Sequence, residues 1–589
     1  MKKLVLVAVT AAASIGAAMA EDWVSTGTVR WVATDGSDEN GDGSEGNPYA
    51  TINKAVSLMA KEDIVRIKPG TYTLSETPTT NPEAIDNDPQ YAHLTIEGAD
   101  PANRPVINGD GKHVGLSIGG MGVLFRDLII SNCVSTTEDG AAVVLKNDTG
   151  WGAFAEAWRL GFRFDRCLFV ANTNMYDEAA GTKSPGAIYI KGGEFYDCDF
   201  IANSGGYSGG AVYLWDVGSA SRGKRFSNCT FRVNSAYAYG GAIRGEMYGQ
   251  SEILDCNFEN NRLRKKENAG DDTGGALSGK FSLVSGSAFR GNYAYGGGGA
   301  IYSRYASPAV VDCVFEGNSC YGANWYPGGG AVYLWDGGSL TNCIFRNNTN
   351  ETSRGGGLYF RNDANNAASM CGCTFVGNVA ATEGGAVFHN LVSAGGCLLD
   401  RNVFKGNSAK NGGAINFETA SAQMTVLRNS LFVSNSATSQ GGAVRVGHWS
   451  ELIPADLESC TFVGNSASGQ GAAIYTTWAT VGVTNCIFSA NTAAGAEGVA
   501  CNAGGGDGTL DFDHCFTEGD PKFSDAASGD YTLGAASPCR NTGVNLPWMV
   551  GATYLNPTVP KRSGRIAEQI VDIGCYEYWP VPGFQLMIR

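Results

Sequence analysis

The chain has 589 residues and a formal net charge of -15, with 57 acidic against 42 basic residues, which excludes nucleic acid or anionic lipid as a partner held by bulk electrostatics. Its 82 glycines follow no three-residue period and 43% of its residues are hydrophobic, so a collagen-like or disordered chain is excluded and an internal repeat is the first thing to seek.

Residues 1–20 have the three parts of a secretory signal: Lys2 and Lys3, an apolar run from Leu4 to Ala13, and small residues ending Ala18-Met19-Ala20. Cleavage is expected after Ala20, because Ser14 and Gly16 leave the run too short for a membrane anchor, and no later segment reaches spanning length. The protein is therefore expected to be exported, to the extracellular space or the outer-membrane surface of a bacterium.

Residues 21–165 lack the repeat that fills the middle of the chain and are expected to form an N-terminal cap and the first coils of a solenoid. Trp31-Val32-Ala33-Thr34 reads as a strand, 51–61 as a short helix, and Ile64-Val65-Arg66-Ile67 as a second strand before the turn at Pro69-Gly70. Between them, Asp38-x-Asn40-x-Asp42-Gly43 matches the first half of a calcium loop, so calcium is the one cofactor the sequence points to. Tyr49 stands where the twelfth position needs a bidentate Glu, and a polar turn is the alternative.

From 166 to 500 a Phe-x-x-Asn unit recurs twelve times, from Phe169/Asn172 to Phe488/Asn491, every 26 to 31 residues. A Gly-Gly-Ala-aliphatic step comes after most units, and the string GGAVYLWD occurs at 209–216 and again at 329–336. Each unit holds short period-two strands between Gly, Asn and Ser turns and cannot bury its own apolar side, so the units must stack. The fold class expected is all-β: a right-handed parallel β-helix of about twelve regular coils, a rod of roughly 55 to 60 Å. Phe should point inward and Asn should stack at a corner. Cys stands two residues before Phe in nine units, Cys167, Cys198, Cys229, Cys256, Cys313, Cys343, Cys373, Cys460 and Cys486, and is read as an inward column of free thiols. Cys539 and Cys575, outside the column, are the pair expected to bridge.

Residues 501–589 are expected to form a C-terminal segment that caps the open coil edge. It holds Asp520-Pro521 with Phe523, Gly529-Asp530-Tyr531, Ser537-Pro538 and Asp572-Ile573-Gly574-Cys575-Tyr576-Glu577, and it resembles the carboxy-terminal segment of bacterial β-helix proteins of the choice-of-anchor Q type. The Pro48-Tyr49-Ala50-Thr51-Ile52 and Lys68-Pro69-Gly70-Thr71-Tyr72 pieces resemble the N-terminal cap of the pectate-lyase-like superfamily. The repeats are similar to those of the polymorphic outer membrane proteins. Those proteins end in a membrane β-barrel, and the residues after 500 are too few for one, so autotransport is not expected.

The superfamily resemblance implies two classes of function: a non-catalytic glycan- or surface-binding protein, which the residues favour, or a polysaccharide lyase or glycoside hydrolase acting on an acidic polysaccharide. The partner expected is a polysaccharide or a cell surface. The polygalacturonase-like strings Asp271-Asp272 and Arg66-Ile67-Lys68 are read as coincidence, and Cys371-Gly372-Cys373 is too tight for zinc. His389 is read as a packed core residue.

The binding residues expected lie on the outward side of the Gly-Gly-Ala strands. Two residues after the Ala come Tyr213, Arg244, Tyr302, Tyr333 and Tyr359, and four after it come Trp215, Glu246, Lys280, Arg304, Trp335 and Arg361. Aromatic rings alternating with charges, on a surface expected to be wet, are what an extended sugar chain would bind; simple packing between strands is the alternative.

Overall fold

The structure, a computed structural model, describes residues 25–80, 93–119, 122–137, 140–146, 162–175, 184–190, 192–215, 224–245, 251–264, 273–322, 328–362, 368–391, 396–419, 424–447, 452–494, 500–502, 508–549 and 569–578. Short parallel strands stack coil on coil into one β-solenoid. A coil visits four sheets in turn: Phe162–Asp165, Leu168–Val170, Thr173–Asn174 and Ile188–Ile190, after which Gly193–Tyr196 pairs with Phe162–Asp165 and begins the next coil. Numbered 1 to 4 in that order, the sheets hold 17, 15, 10 and 14 strands among the described residues; Thr173–Asn174 itself pairs with Val134–Ser135 in a two-stranded ladder that leads through Ser204 into sheet 3.

All twelve repeat Phe residues lie in one core, stacked in coil order with ring centroids 4.5 to 5.2 Å apart and planes within 16° of parallel. The Asn column forms as expected. Asn203 Nδ2 donates to the Phe169 carbonyl at 2.9 Å and to Asn234 Oδ1 at 3.0 Å, while its own Oδ1 accepts from the N–H and Nδ2 of Asn172 at 3.2 and 3.0 Å. The pattern repeats down to Asn491, so each buried amide satisfies its neighbour's backbone as well as its side chain.

Corner chemistry has the same period. Sheets 1 and 2 join through a left-handed residue just before the Cys position, for example Asp197, Asn228, Asp255 and Gly286, and sheets 2 and 3 through another just before the Asn, for example Ala202, Val233, Asn260 and Gly291. At the Gly-Gly corner the two glycines serve different ends. Gly240 has φ +60°, whereas a Cβ on Gly241 would sit 2.0 Å from the carbonyl oxygen of Gly275 on the next coil.

The nine repeat cysteines form a buried column of free thiols that extends to the partly exposed Cys515; Leu128 holds the place before Cys167, while Cys133 heads the Asn column, its N–H donating to Asn172 Oδ1 at 3.1 Å. Ser287, Asn402 and Ser430 fill three of its places and still accept from the N–H one coil earlier, as the Cys373 sulfur does from Cys343.

At the N-terminus, helix Ile52–Ser57, shorter than the 51–61 expected, places Ile52, Ala55 and Val56 in the core of the first turn. The tail corrects one expectation. It lies along the outer side of sheet 2, with Cys575 and Tyr576 on Leu431 and Val433, and Leu533, Cys539 and Ile573 on Ile487. That flank carries Arg232, Glu259, Arg290 and Glu316 in register in earlier coils, then turns apolar and draws the tail onto itself. Cys539 and Cys575 therefore sit as free thiols in separate clusters and do not bridge.

Candidate functional site

The Gly-Gly-Ala strands form sheet 4, and its register brings the expected row together: Tyr189, Tyr213, Arg244, Ser278, Tyr302, Tyr333, Tyr359, Phe388, Asn416, Arg445 and Tyr475 are successive Cα partners. The aliphatic neighbours Val212, Ile243 and Val332 face the core on the other side. The rings, however, are not wet. Tyr213, Tyr302, Tyr333 and Tyr359 are only 4, 5, 0 and 3% exposed. In-register rings about 4.8 Å apart cover one another, and the Trp two residues on in the same strand lies over them. Tyr302 meets Tyr333 edge-on at 5.3 Å, Tyr333 lies 4.5 Å from Tyr359, and Trp335 stacks on Tyr333 at 5.7 Å. Tyr302, Tyr333, Tyr359 and Phe388 thus make a second apolar core outside the solenoid interior, and burial raises the Tyr333 and Tyr359 phenols above the ordinary range.

What reaches water is the next row. Trp215, Lys280, Arg304, Trp335 and Arg361 are half-buried, as is Arg244. Arg304, one coil before Trp335, places its guanidinium 4.5 Å from the indole, and Arg361, one coil after, places its own at 3.9 Å. An indole between two guanidiniums is held electrostatically by both. Trp215 stacks more loosely on Tyr213, at 6.5 Å, and Arg244 turns away to lie over Tyr239 at 4.5 Å while donating to Ser278 Oγ at 2.9 Å. Glu246 lies outside the described residues, as do Asp271, Asp272 and His448.

Sequence reasoning missed Arg354. It comes from the corner before sheet 4, pairs with Glu383 at 2.7 Å and Glu418 at 3.6 Å, and lies over Phe388 at 4.8 Å. Burial, more than any neighbour, pushes the Glu383 carboxyl upward; Arg354 opposes it and Glu418 adds to it. Arg354 and Glu383 each precede the Gly-Gly step on adjacent coils, a pair of opposite charges that the sequence carried in one column, whereas Glu418 comes from another position of the repeat and only coil stacking brings it to them.

The calcium-loop residues are engaged in the cap's own turn. Asp38 accepts from the N–H groups of Ala50 at 2.8 Å and Thr51 at 3.0 Å and from the Thr51 hydroxyl at 2.6 Å, and so braces the residue that caps the helix. Asp42 accepts from the Ser44 N–H at 2.8 Å, and the Asn40 carbonyl accepts from Asn47 Nδ2 at 2.9 Å. Among the described residues no group of three or more His, Cys, Asp or Glu is placed to hold a metal ion. Arg66 is consumed by an ion pair with Glu97 at 2.7 Å. His389 is indeed packed in the core, edge-on between Phe360 and Phe417.

The family model of the Chlamydia polymorphic membrane protein repeat matches residues 286–304 and 459–477, each spanning a Phe-x-x-Asn unit and its Gly-rich step. No curated protein matches the chain. Among solved structures it is similar to a mannuronic acid specific polysaccharide family 6 lyase from human gut microbiota, with a TM-score of 0.37 and 12% identity over 69% of this chain and 84% of that one. It is also similar to pectate lyase Pel9A, with a TM-score of 0.22 and 14% identity over 94% and 97% of the two chains. A thermostable alpha-1,3-glucanase from Streptomyces thermodiastaticus gives 0.29 and 13%, over 82% of this chain and 70% of that one. Similarity at this level carries no information about chemistry; the repeat match and the parallel solenoid stand on their own.

Proposed function

We propose that the chain is an exported bacterial surface β-helix protein that binds acidic polysaccharide without acting on it, through the outer side of sheet 4. The observation that carries this reading is the Arg304–Trp335–Arg361 stack: a half-exposed indole with a guanidinium on the coil before and another on the coil after. A guanidinium's planar fork suits a carboxylate, and the indole between the two fixes their spacing on neighbouring coils. Two cations on one ring also stand against the field of a chain of charge -15, so an acidic ligand is favoured there over the rest of the surface.

The test is affinity electrophoresis in gels containing polygalacturonate or alginate. Trp335→Ala combined with Arg361→Gln should weaken retention at least tenfold with a small change in thermal midpoint. Equal retention of variant and wild type refutes the site. Unsaturated product absorbing in the ultraviolet, formed from either polymer with calcium present, refutes the non-catalytic reading.

A further inference from the structure

A second strip of rings and guanidiniums lies on sheet 3, around the corner from sheet 4. From Ser235 to Cys320 its strands are two residues long and bury one residue each: Ala236, Leu263, Ala294 and Cys320 stack inward as a cluster of their own. The flanking residues must then face out. Register aligns Ser235 with Arg262, Arg262 with Tyr293, and Tyr293 with Ser319; one residue beyond the buried position come Tyr237, Arg264, Tyr295 and Tyr321.

These side chains do meet water. Tyr321 is 47% exposed, Arg262 and Arg264 are exposed, and Tyr207, Tyr237, Tyr239, Tyr293 and Tyr295 are half-buried. They differ in this from the sheet 4 row, where rings recur on successive coils and close over one another. Here arginines interrupt the rings: Tyr237 on one coil, Arg262 and Arg264 on the next, then Tyr293 and Tyr295, with Tyr321 on the coil after. Rings contact only locally, Tyr207 with Tyr237 at 5.9 Å and Tyr293 with Tyr295 edge-on at 5.1 Å. Tyr239, 5.8 Å from Tyr207, carries the Arg244 guanidinium 4.5 Å from its ring and so joins this strip to sheet 4.

We infer that the outer side of sheet 3 from Tyr207 to Tyr321 binds a linear, negatively charged polysaccharide laid along the solenoid axis. This rests on the reading that the protein binds acidic glycan, and it adds a site that reading does not contain. The coils advance along a straight line in steps of about 4.8 Å, close to the length of one pyranose, so successive sugars can meet successive coils, ring or arginine. Arg262 and Arg264 fall between the rings, where a polymer with a charged group on each sugar presents one.

Arg262→Gln with Tyr321→Ala removes one exposed charge and one exposed ring, and Arg262→Gln alone serves as a second variant without loss of packing. Each is run in gels of polygalacturonate, alginate, a neutral glucan and oligothymidylate, beside wild type and Trp335→Ala. The double variant should lose at least tenfold in retention by the acidic polymers at an unchanged thermal midpoint, with Arg262→Gln intermediate. Wild type retained and both variants retained equally overturns this strip alone. Wild type retained by neither acidic polymer overturns the glycan reading and the strip with it. A loss of retention by neutral glucan as large as by the acidic polymers overturns the requirement for charge. Retention by oligothymidylate that the double variant abolishes overturns the choice of polysaccharide over single-stranded nucleic acid.

Discussion

Asn318 sits near the middle of the Asn column and is fully buried. Its Oδ1 accepts from the Asn292 N–H at 3.0 Å and from Asn292 Nδ2 at 2.9 Å, and its Nδ2 donates to the Phe289 carbonyl at 2.9 Å and to Asn348 Oδ1 at 3.1 Å. Asn318→Ala leaves Asn348 Oδ1 its bond from the residue 318 backbone, but strands two N–H donors of Asn292 and removes the amide donor from Phe289. A buried donor without a partner costs about 1–3 kcal/mol, so the substitution should destabilise by about 3–5 kcal/mol. Asn318→Asp tests the direction of the bonds: a carboxylate keeps both acceptor roles but offers no donor to two oxygens. It should cost at least as much at neutral pH, and less where it is protonated. Asn491, the last of the column and only partly buried, provides the control, because water can replace what Asn491→Ala removes, and about 1 kcal/mol is expected. Urea unfolding gives the totals, and hydrogen exchange at the Asn292 amide gives the local loss. A cost below about 1 kcal/mol for Asn318→Ala, with Asn292 exchange unchanged, would refute the argument that the column satisfies the backbone.

Val233 is β-branched, 48% exposed and held at φ +57°, at a corner where other coils place Asn260, Gly291 and Gly317. Val233→Asn should relieve this and raise stability by about 1 kcal/mol in urea unfolding; a loss would show the side chain to be packed. His389 is buried with neither ring nitrogen hydrogen-bonded among the described residues, and burial lowers its pKa from 6.5 to about 3. The unfolded chain therefore binds a proton that the folded chain refuses, so stability present above pH 6.5 is lost as pH falls toward 3, by up to about 1.4 kcal/mol per unit. His389→Phe, matching Phe360 and Phe417 on either side, should flatten that slope and stabilise the protein at pH 7 by about 1–3 kcal/mol. An unchanged slope would place the proton uptake elsewhere.

The solenoid was legible because its interactions are periodic: Phe on Phe, Asn on Asn and Gly under carbonyl all recur at equivalent positions, so one repeat unit states the rule for all. The same reasoning misjudged the outer face of sheet 4. Alternation tells which side of a strand a residue leaves from, not what lies beyond it, and Tyr302, Tyr333 and Tyr359 leave outward only to be covered by one another and by Trp335. The Arg354–Glu383–Glu418 group and the tail on Leu431 and Val433 were illegible for a different reason. Each joins residues from different positions of the repeat, Glu418 to the Arg354–Glu383 pair and the tail to the outer side of sheet 2, and only the coil stacking brings them together. The sheet 3 strip was within reach of the sequence, since Tyr237-Ala238-Tyr239 and Tyr293-Ala294-Tyr295 alternate openly, but its strands are too short for periodicity to mark.

The two copies of GGAVYLWD begin strands of sheet 4, Val212–Leu214 and Val332–Leu334, at equivalent places in their coils. Recombination between their coding segments would delete or duplicate the coils of Asn234, Asn261, Asn292 and Asn318 as whole turns, with every ladder partner replaced by its equivalent. The rod would change by roughly 19 Å and keep its registers. Those four coils carry most of the ring-and-arginine strip on sheet 3, so the same event would remove or double that strip. Length in such a fold can vary without redesign of the core, and the extent of its outer surface varies with it.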